Sequence, residues 1–270
     1  MVHQVTLWQT DGQPAGLVVK LDSPEAVDAF QREHDALAYY REHTAFPVPE
    51  PLACFSDGEL GVAGLVMQHI AAPNLAAARL SATGQHQLQL QLAEHVAALH
   101  RHGGEAFGSP LEPAHQQGRW LDVFGPRLEA QFRAARDQLA SRHRAVVEAL
   151  IRELATHLPE AATPTLIHGD LWATNVLVDD THPSRPRLAA FIDAQPALAD
   201  PEYELAYLRL FNTAGSTFFE AYSRWHPLRP DFEHRCRVYW AHTLLLHVHR
   251  FGAAYLPMCC DVLDQLRRAS

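Results

Sequence analysis

Two stretches of the sequence carry side chains that could bind a metal ion and activate a hydroxyl group. The first is HGDLWATN at residues 168–175, which contains Asp170 and Asn175, and the second is FIDA at residues 191–194, which contains Asp193. Asp170 and Asn175 precede one short predicted strand and Asp193 ends the next, so a hairpin would bring all three to one edge. Such a set suits phosphoryl transfer: Asp170 would accept the proton of an attacking hydroxyl, and Asn175 and Asp193 would hold Mg²⁺ against nucleotide phosphates.

The only lysine among the 22 basic residues of the chain is Lys20. It ends a predicted strand, and Glu33 lies on the predicted helix that follows. An ammonium is a compact charge that can reach between phosphate oxygens, whereas a guanidinium is a wide planar fork. A strand lysine paired with a glutamate of the next helix would position a triphosphate. Lys20 and Glu33 are therefore predicted to form such a pair, with a surface lysine and a solvated helix glutamate as the alternative.

The composition predicts a folded chain with a net negative charge. Its 270 residues are 47% hydrophobic and 20% charged, which is enough apolar residue to bury a core. The formal net charge of -9 argues against a nucleic-acid partner. The first 20 residues lack the apolar run of a signal peptide, and no stretch approaches the roughly 20 apolar residues of a membrane span. The four cysteines include no C-x-x-C pair, so we expect reduced thiols in a cytoplasmic chain with no membrane partner.

Two regions of different secondary structure are expected. The first 70 residues are rich in strands and contain one helix that begins near Ser23-Pro24-Glu25, where serine can cap and proline can start a helix. The strands predicted there are residues 5–8, 17–20, 52–55 and 64–67, with turns at Asp11-Gly12 and Ser56-Asp57-Gly58. Residues 71–270 are predicted to be mostly helical, with the hairpin that ends at Asp193 interrupting the helices.

The motif HGD-x4-N followed by I-D resembles the kinase-like phosphotransferases, which include aminoglycoside, choline and homoserine kinases. A narrower resemblance is to the fructosamine kinase family. HGDLW at residues 168–172 is similar to a signature of that family, and residues 193–206 align without a gap on its D-P-A-x-x-x-G-D-x-E-x-D-L-A segment. Residues 120–128 resemble its W-x3-F-x2-RL helix, and Tyr239 with residues 247–252 resembles its C-terminal Y-x7-H-x-N-x-F-G helix.

The resemblance implies an α+β fold of the bilobal protein-kinase type. The small lobe, rich in β-strands and short at its N-terminus, would be residues 1–70, and the larger helical lobe would be residues 71–270. ATP and Mg²⁺ are the implied cofactors, and a small sugar-amine or amino-alcohol is the implied substrate. The implied roles are Asp170 as base, Asn175 and Asp193 as Mg²⁺ ligands, Lys20 and Glu33 as phosphate-positioning pair, Gln68 and Ile70 as backbone contacts of the adenine, and Trp172 and Asp200 as candidate substrate residues.

The expected activity is transfer of the γ-phosphoryl group of ATP to a hydroxyl of a ketosamine of fructosamine or ribulosamine type. One alternative is phosphorylation of an aminoglycoside, choline or homoserine. Another is a catalytically impaired binding protein. The resemblance implies a glycine-bearing loop ahead of the hairpin that carries Lys20, whereas Gly12 and Gly16 lie between the two strands of that hairpin. Trp172 has packing, and Asp200 a structural role, as alternatives; the oligomeric state is left open.

The 18 histidines invite a metal hypothesis. The densest group is His242, His247 and His249. Residues two apart on a helix point to different sides, so His247 and His249 would not chelate one ion together. Packed or solvated histidines are therefore favoured over a metal site.

Overall fold

The computed structural model describes residues 2–8, 14–160 and 162–269. They form two compact units. The first unit comprises Met1–His102, His168–Pro196 and Gly215–Tyr222, and the second comprises Gly103–Ile167, Ala197–Ala214 and Ser223–Ser270. The lobe boundary expected between residues 70 and 71 stays a prediction.

The strands lie in two groups, one near the start of the chain around a single helix and one at residues 165–199, and a run of helices follows each group. The strands are β1 (Val2–Trp8), β2 (Pro14–Asp22), β3 (Pro51–Asp57), β4 (Val62–Gln68), β5 (Thr165–Ile167), β6 (Val176–Asp179), β7 (Arg187–Phe191) and β8 (Ala197–Ala199). The helices are α1 (Val27–His43), α2 (Ala82–Leu99), α3 (Trp120–Ala135), α4 (Ser141–Arg152), α5 (Leu154–His157), α6 (Pro201–Leu210), α7 (Ser216–Tyr222), α8 (Phe232–Phe251) and α9 (Leu256–Ala269). No helix in the described part of the chain is long and apolar enough to cross a membrane.

The first unit contains a four-stranded antiparallel sheet in the order β1-β2-β4-β3. All four predicted strands are present, and each extends beyond its predicted range. The turn predicted at Asp11-Gly12 lies outside the described residues. Lys20 of β2 pairs with Leu65 of β4. Because β2 and β4 are the two inner strands, the lysine has a strand on either side of its own.

Helix α1 packs against β3 and β4 and carries Glu33. The predicted helix start at Ser23-Pro24-Glu25 is a 3-10 turn, and the α-helix begins only at Val27. The Ala26 N–H donates to the Ser23 carbonyl at 3.0 Å, and the Ser23 side chain makes no capping bond. This bond from residue i+3 to residue i is the hydrogen bond of a 3-10 turn.

Helix α2 fixes the β6–β7 hairpin. Gln91 donates through Nε2 to the Pro186 carbonyl at 2.9 Å and accepts through Oε1 from the Leu188 N–H at 2.8 Å. This one amide side chain therefore continues the hydrogen bonding of β7. At the start of α2, a Cβ on Gly84 would lie 2.0 Å from the Pro183 carbonyl oxygen, so the helix approaches the hairpin loop closely. The apolar residues that recur at helical spacing along α2 are buried: Leu88, Leu92, Val96 and Leu99.

The second unit is mostly helical. Helix α8 packs against α3, α6 and α9, and α4 packs against α9. Aromatic rings fill the space among α3, α6 and α8, where Phe124 lies 5.2 Å from Tyr239 and 6.0 Å from Tyr203 between ring centroids. The short strands β5 and β8 pair antiparallel beside these helices.

Candidate active site

The loop after β5 has a backbone that only glycine can adopt. Gly169 has a φ of +87°, and a Cβ there would lie 2.1 Å from the Gln195 carbonyl oxygen. The Gln195 N–H donates to the His168 carbonyl at 2.7 Å. The HGD loop is therefore bound directly to the segment that follows Asp193, which explains the glycine between His168 and Asp170.

Asn175 holds Asp170 through its amide nitrogen. Nδ2 of Asn175 donates to the Asp170 carbonyl at 2.8 Å and to Asp170 Oδ2 at 3.2 Å. The Asn175 side chain is buried, and the Thr174 hydroxyl donates to its Oδ1 at 3.4 Å. Because both amide hydrogens are directed to Asp170, the side-chain oxygen of Asn175 lies on the other side of the amide, where it accepts from Thr174 and keeps a second lone pair for a ligand.

The β6–β7 hairpin brings Asp193 next to Asn175. The two strands pair antiparallel, and the Ile192 N–H donates to the backbone carbonyl of Asn175 at 3.0 Å. Asp193 has a φ of +57°, in the left-handed region that non-glycine residues rarely adopt. Such a conformation costs about 1 to 3 kcal/mol and persists where surrounding contacts impose it. The hairpin thus places this carboxylate at the cost of local backbone strain.

Lys20 joins the sheet to the hairpin. Its ammonium contacts Glu33 Oε1 at 2.5 Å and also bonds to Asp193 Oδ1. The Lys20 and Glu33 side chains are 19% exposed, and the Asp193 side chain is 42% exposed. Burial acts to lower the pKa of Lys20, but the Asp193 and Glu33 carboxylates more than offset this and raise the pKa above its ordinary value. The lysine is therefore a fixed positive charge at this site.

The donor atoms of Asn175 and Asp193 fit Mg²⁺. This ion prefers oxygen ligands and is usually bound by one or two carboxylates together with substrate phosphates. The side-chain oxygen of Asn175, which keeps a lone pair beyond its bond from Thr174, and the carboxylate of Asp193 are oxygen ligands of that kind. Within the described ranges, no group of three or more histidine, cysteine, aspartate or glutamate side chains could hold a metal ion.

The segment expected to contact the adenine follows β4. The Gln68 N–H donates to the Glu50 carbonyl at 2.8 Å, and the Gln68 side chain accepts from the Glu50 N–H at 3.3 Å. The His69 N–H donates to the Gly16 carbonyl at 3.0 Å. The Ile70 N–H has no acceptor among the residues that the structure describes. It is therefore a donor that a ring nitrogen of a base could use.

The two candidate substrate residues have different surroundings. Trp172 is half-buried, and its carbonyl accepts from the Asn175 N–H at 2.9 Å, so it is part of the same loop as Asp170. Asp200 belongs to the second unit and is 3% exposed. It caps α6 by accepting from the Glu202 N–H at 3.0 Å. A substrate role for either residue stays a prediction.

Asp200 is the centre of a buried network that sequence reasoning did not predict. Its Oδ2 accepts from Arg229 at 2.6 Å and from the Tyr239 hydroxyl at 2.8 Å. Nε1 of Trp120 donates to that hydroxyl at 3.1 Å. Burial and the adjacent Asp200 carboxylate raise the pKa of Tyr239, so the hydroxyl stays a donor. Residues of three separate motifs, Trp120, Asp200 and Tyr239, are thus connected within one unit.

Arg229 extends this network to α8. Its Nε donates to Glu202 Oε1 at 3.0 Å, and Arg235 donates to the same oxygen at 2.9 Å. Hydrogen bonds from the two guanidinium groups lower the pKa of Glu202 although burial acts to raise it. Arg229 lies in an irregular segment with no periodic pattern, so only its contacts identify it.

The chain resembles known kinases and phosphotransferases in sequence and in fold. The sequence profile described as "Fructosamine kinase" matches residues 2–269. A "Probable ketoamine kinase" of Synechocystis is 26% identical over 261 residues, covering 93% of this chain and 82% of that protein. The crystal structure of a "putative fructosamine-3-kinase" from Thermobifida fusca matches with a TM-score of 0.76 at 24% identity, over 99% of this chain and 90% of that one. A GDP complex of aminoglycoside 2'-phosphotransferase-IIIa matches with a TM-score of 0.66 at 18% identity, over 100% and 93%.

These likenesses confirm the predicted fold class. The chain has a protein-kinase-like fold with a small sheet lobe and a larger helical part. A family profile that spans residues 2–269 covers nearly the whole sequence, including every motif on which the resemblance was based. The chain belongs to the fructosamine kinase family of phosphotransferases.

Proposed function

We propose that this protein transfers the γ-phosphoryl group of ATP to a hydroxyl of a ketosamine of fructosamine or ribulosamine type. The observation that carries the proposal is the pairing of Asp170 with Asn175 beside an Asp193 carboxylate that is bonded to Lys20. Family membership and the ketoamine kinase relative support a ketosamine as acceptor. The GDP complex of the structurally similar aminoglycoside phosphotransferase supports a nucleotide as donor.

Asp170 acts on the acceptor in this proposal. Asn175 bonds to one oxygen of its carboxylate, and the carboxylate would accept the proton of the substrate hydroxyl. As the new bond forms between that hydroxyl oxygen and the γ-phosphorus, the bond from phosphorus to the leaving ADP oxygen breaks. The hydroxyl proton passes to Asp170. Most of the rate enhancement comes from alignment of the reactants and from neutralisation of charge.

Lys20 acts on the donor. Its ammonium, held in place by Glu33, is the positive charge that would bind phosphate oxygens of the nucleotide. Mg²⁺ bound by Asn175 and Asp193 would supply further neutralisation of the phosphate charge. The Gln68 carbonyl and the Ile70 N–H would contact the adenine, and Trp172 would cover the sugar of the acceptor.

A panel of acceptors tests the proposal. The wild-type protein is incubated with ATP, Mg²⁺ and a fructosamine or ribulosamine of a small amine, and acceptor-dependent ADP release is measured. Phosphorus NMR of the product identifies a phosphate ester. We expect ketosamines to be phosphorylated and aminoglycoside, choline and homoserine to be poor acceptors. Faster phosphorylation of aminoglycoside, choline or homoserine than of ketosamines would assign one of these as the acceptor. If no acceptor causes ADP release and no nucleotide binds, the protein is better described as a catalytically impaired binding protein.

A further inference from the structure

Three aromatic side chains from separate segments of the first unit pack together. The rings of Phe46 and Phe191 are stacked, with centroids 4.1 Å apart and an interplanar angle of 8°. The His168 ring centroid lies 6.1 Å from each of them. Phe46 is 6% exposed, and His168 and Phe191 are fully buried. The three rings therefore form one solvent-excluded cluster.

Both partners of Phe46 are two residues away from a residue of the candidate active site. His168 precedes Asp170, and Phe191 precedes Asp193. A backbone hydrogen bond joins the same two segments, since the Phe191 N–H donates to the carbonyl of Pro47 at 2.8 Å. The segment that contains Phe46 is thus joined to the β6–β7 hairpin both by a ring stack and by a hydrogen bond.

The other side of Phe46 leads to helix α1. Its ring centroid lies 5.7 Å from that of Tyr40, which is fully buried. The Phe46 N–H donates to the Thr44 hydroxyl at 3.0 Å, and that hydroxyl donates to the Tyr40 carbonyl at 2.7 Å. Tyr40 and Glu33 are seven residues apart, or about two turns along one face of the helix. Phe46 therefore contacts the helix that carries Glu33, the partner of Lys20.

We propose that Phe46 is a positioning residue for phosphoryl transfer. It fixes the positions of Asp170 and Asp193 relative to the helix that carries Glu33. It does so through its contacts with His168 and Phe191. The kinetic part of this inference rests on the proposed function. A packed interior transmits displacements, and a shift of about 1 Å at reacting groups can lower a rate by about 100-fold. Loss of the Phe46 ring therefore lowers kcat by more than the accompanying loss of stability would explain.

The chain offers a matched control for loss of a buried ring. Phe218 of α7 lies in the same unit, is fully buried, and stacks on Tyr222 with centroids 5.8 Å apart and an angle of 13°. We expect Phe46→Leu and Phe218→Leu to lower Tm by similar amounts. Phe46→Leu should lower kcat at least tenfold and Phe218→Leu less than twofold, while Phe46→Tyr, which keeps the ring, should stay within about threefold. Equal changes of kcat in the two leucine variants would overturn the proposal.

A double-mutant cycle tests whether Phe46 acts through Phe191. If it does, the variant with both Phe46→Leu and Phe191→Leu has a kcat within about threefold of Phe191→Leu alone, because the second change removes a coupling already lost. If the two substitutions lower kcat by factors that multiply in the double variant, Phe46 does not act through Phe191. Should Phe46→Leu fail to fold, Phe46→Met keeps more of the side-chain volume and is judged by the same criteria.

The single lysine of the chain provides a readout that needs no turnover. Protein labelled with ¹³C and ¹⁵N only at lysine gives one set of side-chain Cε and Nζ signals, from Lys20. Phe46→Leu should shift these signals, because displacement of Asp193 changes the ion pair, and Phe218→Leu should leave them in place. Unchanged signals in Phe46→Leu would refute the positioning role. An inactive wild-type protein would refute the proposed function alone, since the NMR result does not depend on catalysis.

Discussion

The ammonium of Lys20 bonds to the carboxylate of Asp193, although 173 positions separate the two residues in the chain. Glu33 contacts the same ammonium at 2.5 Å. Two carboxylates around one small cation leave little room for a planar guanidinium, which presents its donors in a fixed fork. This arrangement gives a physical reason for the one lysine in a chain that otherwise uses arginine for its basic residues.

Lys20→Arg is expected to lower kcat/KM by about 100-fold, with weaker nucleotide binding, because the wider group cannot occupy the space between Glu33 and Asp193. Steady-state kinetics and calorimetric titration with ATP and Mg²⁺ measure both effects. Arg187→Lys makes the reverse change at an exposed position of β7 and serves as control. Activity of Lys20→Arg within threefold of wild type would contradict this role.

Asn175→Ala is expected to lower kcat by about 100-fold and to raise the Mg²⁺ concentration needed for half-maximal rate. The change removes the amide nitrogen that bonds to Asp170 and the side-chain oxygen that we propose as an Mg²⁺ ligand. Asn74→Ala is the matched control, since the Asn74 side chain only accepts from the Ala77 N–H in a turn. An unaltered Mg²⁺ requirement in Asn175→Ala would remove it from the metal site.

Motif spacing predicts the hairpin and the residues on it, because Asp170, Asn175 and Asp193 lie within one short local unit whose turn and strand signals are strong. It also predicts that Lys20 and Glu33 occur on a strand and the next helix. The role of Phe46 and the Arg229 bonds to Asp200 are not predictable in this way. These contacts join segments far apart in the chain, and neither residue belongs to a periodic pattern, so only the folded packing identifies them.

Gly169→Ala is expected to destabilise the protein by at least about 2 kcal/mol, because an alanine in the left-handed region is strained and its Cβ would meet the Gln195 carbonyl. Urea unfolding measures the loss. Gly58→Ala is the control, because a Cβ there meets nothing within 4 Å. Equal stability of the two variants would show that the HGD loop tolerates a side chain at this position.

His242 makes stability depend on pH. Burial, together with the charges of Arg127 and His247, lowers the pKa of His242 from 6.5 to about 3. Between these values the unfolded chain binds a proton and the folded chain does not, so stability falls as the pH drops below about 6.5. At pH 5 this one group contributes a loss of about 2 kcal/mol.

Urea unfolding at pH 7 and pH 5 checks this prediction. The free energy of unfolding of His242→Phe should fall less between pH 7 and pH 5 than that of the wild type. The difference should be about the contribution of that one histidine. His182→Phe, on the exposed loop between β6 and β7, is the control substitution of a histidine. If His242→Phe has the same pH dependence as the wild type, the His242 imidazole of the wild type must bind its proton at pH 5 in the folded protein as well.

We propose Asp170 as the base of one phosphoryl-transfer site that binds nucleotide through other residues. Asp170→Asn separates the two functions, because the amide keeps the shape of the carboxylate but cannot accept the hydroxyl proton. Transfer to a ketosamine, followed by phosphorus NMR, is compared with the Kd for ATP and Mg²⁺ in the same variant. We predict a Kd within threefold of wild type and transfer reduced by at least about 100-fold, whereas transfer within tenfold of wild type would contradict the account.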